Sequence, residues 1–120
     1  MSTLEVSNLN DGTTTVATTY VTNGSAKAWA TTQQTSTMAL RDSFNVSSVA
    51  DGGTASSDYT FTNAFSSANF SAVLGQSNDN NFTGIETGHT ASTMTLLTNQ
   101  HDGTGEDAAY QNFQACGDLA

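Results

Sequence analysis

Proline is absent from this 120-residue chain, cysteine occurs once, and lysine and arginine together number two. Without proline, where ordinary usage supplies about six in this length, turns fall to Gly, Asn and Asp. With Cys116 alone, no intrachain disulfide can form. No His/Asp partner stands in a recognisable arrangement with it, so a small, inert core residue is expected there. The two cations face eleven carboxylates, for a formal net charge of −9. No Lys/Arg cluster is therefore available to neutralise phosphates, and neither nucleic acid nor a membrane surface is an expected partner. No apolar run is long enough to span a bilayer, and Met1 to Val6 has neither a basic region nor a long apolar core. Synthesis in a cytoplasm without a signal peptide is the expectation.

What is present points to β-structure. Hydrophobic residues reach 36%, and Phe44, Tyr59, Phe61, Phe65, Phe70, Phe82, Tyr110 and Phe113 lie in short clusters among Thr and Val, which suit a pleated, half-buried surface. The usual fillers of helix surfaces, Glu, Lys, Arg and Leu, are scarce. Leu4, Val6 and Leu9 form an apolar stripe closed by the turn Asn10-Asp11-Gly12, which reads as an N-terminal arm over 1–12. Thr13 to Thr22 reads as extended and Asn23-Gly24 as its turn. Ala26 to Thr32 is a strand with Lys27 and Trp29 on one face. From Thr37 to Val49, alternation sends Met38, Leu40, Asp42, Phe44 and Val46 inward and Arg41 to the other face, where a carboxylate on a neighbouring strand or subunit would meet it. Phe44 to Phe65 is expected to be a hairpin about Asp51-Gly52-Gly53 with an aromatic inner face. Strands over Asn69 to Gln76, Phe82 to Glu86, Ser92 to Thr98 and Ala108 to Cys116 complete an all-β antiparallel β-sandwich or jelly-roll-like domain over 13–120, with minimal helix.

Reactive constellations are missing. His89 and His101 sit in separate turns, without the spacing of a metal site, and are expected to be solvent-facing loop residues. Asp79-Asn80-Asn81-Phe82-Thr83-Gly84 imitates the opening of a calcium loop, but its twelfth position is Thr90 and not a bidentate Glu. Asp102 to Asp107 is an acidic turn, and no carboxylate pair is singled out by apolar surroundings. Neither enzymatic activity nor a cofactor is expected. The loops Ser77 to Asn81 and His101 to Asp107 offer Asn78, Asp79, His101 and Asp102 as candidate surface-binding residues.

Lys27 and Arg41 remain, with Trp29 and Asp42 beside them. Two readings stay open: ion pairs across a subunit boundary with Trp29 as anchor, or a Lys27 stem laid over the neighbour of Trp29 on one sheet face within a single subunit. The runs Ala26-Lys27-Ala28-Trp29, Arg41-Asp42-Ser43-Phe44-Asn45-Val46-Ser47-Ser48-Val49, Asp51-Gly52-Gly53-Thr54 and Tyr59-Thr60-Phe61-Thr62 resemble a family of small β-domains of tailed bacteriophages and prophages, over roughly residues 1 to 75. The resemblance implies a virion-surface module, either at a tail-fibre tip or as a short separate virion protein, assembling as a homotrimer. The chain lacks any shaft-like segment, so a capsid decoration or cement protein is expected, its arm (Leu4, Val6, Leu9) lying on the major capsid protein. The alternative is a tail-fibre or spike tip, joined to tail or baseplate proteins, that binds a host glycan.

Overall fold

Buried and outward side chains alternate over residues 27–33, 93–98 and 111–116, as a half-buried pleated surface requires. The computed structural model describes residues 1–78 and 81–120. In chain order the strands are β1 (Asn8–Asn10), β2 (Thr15–Ala17), β3 (Ala26–Gln33), β4 (Ala39–Phe44), β5 (Val46–Gly53), β6 (Ser56–Phe61), β7 (Ser71–Gln76), β8 (Asn81–Ile85), β9 (Thr93–Gln100) and β10 (Gln111–Cys116), with one helix, α1 (Thr18–Gly24), between β2 and β3. Strands β4-β3-β10-β7 form one four-stranded sheet and β5-β6-β9-β8 the other, with every pairing antiparallel. The all-β sandwich expected from composition is the observed architecture.

The core between the sheets changes character along its length. At one end, here called proximal, Phe61 meets Phe65, Phe70 and Phe113 edge-on, and Phe65 stacks on Phe70 with centroids 4.5 Å apart. Gly117 is fixed by this cluster, because a Cβ there would lie 2.9 Å from Phe70 Cβ and 3.1 Å from the Phe65 ring. At the other, distal end the buried side chains are Thr32, Gln34, Ser57, Thr98 and Gln111. They are joined by hydrogen bonds: the Tyr59 hydroxyl reaches Thr32 Oγ1 (2.9 Å) and Gln111 Oε1 (3.0 Å), and Gln111 Nε2 donates to Thr98 Oγ1 at 2.8 Å. A fully paired polar network of this kind avoids the cost of buried, unmatched donors. Burial holds the Tyr59 hydroxyl above its ordinary pKa, against the smaller lowering effect of its hydrogen bonds.

Three expectations are corrected by the strand registers and the helix. Thr37 to Val49 is two strands in different sheets, divided at Asn45, whose backbone turns left-handed (φ 57°). The Asn45 side chain secures the break by accepting from Asn63 N–H at 2.7 Å and donating to Asn63 O at 3.0 Å. Ahead of it, Thr31 opposes Asp42 and Thr32 opposes Leu40, so Arg41 is an extra residue in the ladder. That bulge keeps Leu40 inward but turns Asp42 and Phe44 out to solvent, since one inserted residue reverses the faces beyond it. Thr18 to Thr22, expected to be extended, and Asn23-Gly24, expected to turn, form one helix despite the β-branched content. Tertiary ties override propensity here: Thr18 N–H donates to Ser7 O at 2.9 Å. At the other end, Lys27 Nζ caps the C-terminal carbonyl of Thr22 and reaches Ser25 O at 3.1 Å.

Candidate functional site

The N-terminal unit, residues 1–25, projects from the proximal end. Its hairpin pairs Asn8–Asn10 with Thr15–Ala17, straddling the arm boundary drawn at residue 12. The turn is held by Asp11 Oδ1, which accepts from Thr14 N–H (2.7 Å) and Thr13 N–H (2.9 Å). These two donors, Thr14 first, hold its carboxyl below the ordinary range. None of the helix residues is buried. Leu4 is 83% exposed and Tyr20 75%, and Val6, Leu9, Val16 and Val21 are exposed as well. Two shallow grooves run over the unit, one lined by Leu9, Val16 and Val21, the other by Leu4, Val6 and Thr18. A three-residue hairpin and a two-turn helix bury too little to hold such a conformation alone. The proposed arm residues thus lie in one unit with apolar side chains turned to solvent.

Cys116 marks the joint and is not a core residue. It is half-buried, with Sγ 3.8 Å from Gly24 O at the end of the helix. His89, expected to face solvent, packs edge-on to Phe70 with centroids 5.5 Å apart, and its Nε2 pairs with Ala68 O at 3.0 Å. Its Nδ1 is buried without a partner.

The two sequence-predicted loops meet at the distal end. Asn78 Nδ2 donates to Asp107 O at 3.3 Å, and Asn81 Nδ2 to Glu106 Oε2 at 2.7 Å. That last bond is the main cause of a lowered Glu106 carboxyl. Asp102 accepts from Thr104 N–H at 2.9 Å, which lowers its carboxyl too, while His101 is exposed. Asp79 lies outside the described residues.

Beneath these loops sits Ala55, which adopts a left-handed backbone (φ 72°) that a non-glycine residue tolerates only when its surroundings hold it. Asp107 Oδ1 accepts from its N–H at 2.7 Å, and its carbonyl accepts from Thr98 N–H (2.9 Å) and Gln34 Nε2 (3.0 Å). Gln34 also accepts from Ala108 N–H at 2.9 Å, so one buried amide braces three loops. Sequence reasoning missed Gln34 and Ala55. An amide inside a Gln/Thr-rich stretch carries no periodic signal, and a left-handed alanine carries none at all.

The two cations are engaged within the chain. Lys27 holds the helix end, and Arg41 donates to Gln33 Oε1 at 2.5 Å with its guanidinium 4.4 Å from the Tyr110 ring centroid. Asp42 accepts from the Ser43 N–H at 2.9 Å. Trp29 is half-buried on the outer face of β3, opposite Phe44. The geometry therefore brings Trp29 and Asp42 onto one sheet face and places Lys27 and Arg41 at opposite ends of it.

No group of three or more His, Cys, Asp or Glu side chains suited to a metal occurs among the described residues. No described helix is long and apolar enough to cross a membrane. No family model, curated protein or solved structure matches the chain.

Proposed function

We propose that this chain is a structural protein of a tailed-phage virion, most concretely a capsid decoration or cement protein. It seats its N-terminal unit on the outer shell as a trimer and holds the sandwich in solvent. One observation carries the reading: residues 1–25 present Leu4, Val6, Leu9, Val16, Tyr20 and Val21 to solvent at one end of a well-packed domain. Apolar side chains gathered on a unit without its own core gain by burial against a partner. The mechanism is mechanical. Binding energy from the unit clamps neighbouring major-capsid subunits in the assembled state, since whatever binds only that state stabilises it. The acidic sandwich, with nine of the eleven carboxylates beyond residue 25, keeps particles apart by repulsion. Small domains also gain by sharing apolar surface around a symmetry axis, which favours a trimer on a shell that offers three-fold sites.

A second reading, a tail-fibre or spike tip that binds a host glycan, draws support from the braced loops at the end opposite the N-terminal unit. Quantitative mass spectrometry of purified virions separates the two: high copy number per particle is expected for decoration, and a handful of copies would overturn it in favour of the tip. Deleting Met1 to Asn10 is expected to abolish particle binding while the sandwich still melts cooperatively; retained binding would remove the seating role. Light scattering of Arg41→Ala addresses the trimer. A fall in mass places Arg41 at a subunit boundary, and an unchanged mass leaves it with its intrachain partners.

A further inference from the structure

The outward face of the first sheet carries a strip that the sandwich itself does not use. Phe44 of β4 lies opposite Trp29 of β3, Trp29 opposite Gln114 of β10, and Gln114 opposite Val73 of β7. This row crosses all four strands, about 14 Å at three inter-strand spacings. Phe44 and Val73 are 54% and 75% exposed. Two residues along, Asp42, Thr31, Asn112 and Gly75 form a second row in the same register. Gly75 matters to it: a Cβ there would fall 2.7 Å from Asn112 Oδ1, so glycine lets that amide lie across β7.

Most buried or half-buried amides of this molecule are occupied, as Gln34, Gln76 and Gln111 are. On this face the amides of Asn112 and Gln114 are exposed to solvent and Trp29 and Thr31 are half-buried, so all four can reach a ligand at the surface. The four-stranded sheet thus sets the backbone spacing of these donors and acceptors beside the aromatic rings, which removes part of the entropic cost of binding.

We propose that this strip binds a neutral polysaccharide. A pyranose ring has an apolar C–H face, which stacks on Trp29 and Phe44, and a rim of hydroxyls, which pair with Thr31, Asn112 and Gln114. Charge selects against the other occupants. Arg41 and Lys27 are already engaged, and a chain of net charge −9 repels anionic polymers. The lone Asp42 on the strip is too little to recruit a polycation. The proposal is independent of whether the chain sits on a shell or a tail, because it concerns the flank of the sandwich and neither of its ends.

The test is native affinity electrophoresis of the full chain through gels containing dextran, laminarin, xylan or galactomannan, with heparin as the polyanion. Emission of Trp29, the single tryptophan, is titrated alongside. Retardation in at least one neutral gel, with a change in Trp29 emission on titrating that polysaccharide, is expected. Trp29→Ala should weaken retention about tenfold, the loss of one stacking contact, and Asn112→Ala should weaken it less, both with the melting transition retained. If Trp29→Ala does not fold, the emission titration of the native chain decides alone. Retardation in no neutral gel, retardation by heparin only, or retention with Trp29 emission unchanged would overturn the proposal. So would a fall in solution mass on Trp29→Ala, which would make a second copy the occupant.

Discussion

The two ends of the molecule solve the same problem with different chemistry. At the proximal end, phenylalanines interlock between the sheets and the chain continues into a unit whose own apolar groups stay in water. At the distal end, amides and hydroxyls are buried, and Gln34 ties the chain at Ala55 to the chain at Ala108. Aromatic burial gives stability without dictating where a loop lies, because it is non-directional. A buried amide holds specific carbonyls and N–H groups at fixed positions. The core is therefore packed by aromatic rings at the proximal end and held by directional bonds at the distal end, where Gln34 fixes the backbone at Ala55 and Ala108.

Phe113→Ala strikes where the aromatic cluster meets Tyr59 and should cost about 3–5 kcal/mol, since a nearly fully buried ring leaves a cavity. Denaturant titration checks it, and a loss below about 1 kcal/mol would show that the aromatic end does not dominate stability. Gln34→Ala comes next. It strands Ala108 N–H and removes two donors from Ala55 O and Ser57 Oγ, at about 2–3 kcal/mol. Amide exchange should accelerate in the loops around Ala55 and Ala108 before it does near Phe113; uniform acceleration would break the contrast between the ends.

Tyr59 gives a smaller, pH-dependent effect. Its folded pKa is raised above the ordinary 10.0 by burial. The stability this contributes is fully present below the unfolded value and is lost as pH rises through the folded one. Alkaline titration of the melting temperature should therefore fall from about pH 10 upward, and Tyr59→Phe should flatten that fall while lowering stability at neutral pH. The smallest effect is expected from deleting residues 1–24, which should change unfolding of the sandwich by under about 0.5 kcal/mol. A larger loss would mean that the N-terminal unit belongs to the same cooperative core.

Much of this was readable in the residues. The buried alternation of Tyr59 and Phe61, of Phe70, Ala72 and Leu74, and of Met94, Leu96 and Thr98 follows the two-residue period of a strand, and those strands lie close to where that period puts them. Where the period broke, it misled. Arg41 adds one residue to β4, and Phe44, which reads as a core aromatic, emerges in solvent. Thr18 to Gly24 has strand-like composition and becomes a helix through contacts made by Ser7 and Lys27. The loops 77–81 and 101–107 were legible as polar turns, but that they meet depends on β7 and β10 pairing and on Asn78 and Asn81 reaching across.

The sequence by itself determined the class of this protein. Period-two burial with Gly, Asn and Asp turns admits sheets and little else, and the sparse charge is nearly all of one sign. Only the tertiary structure decided which side chains face water: the Arg41 bulge, the left-handed Asn45 and the brace at Gln34 arise from strand registers between distant segments. Local period fixes that neighbours alternate. Which face lies inside depends on the partner strand, and a single extra residue in a ladder reverses it.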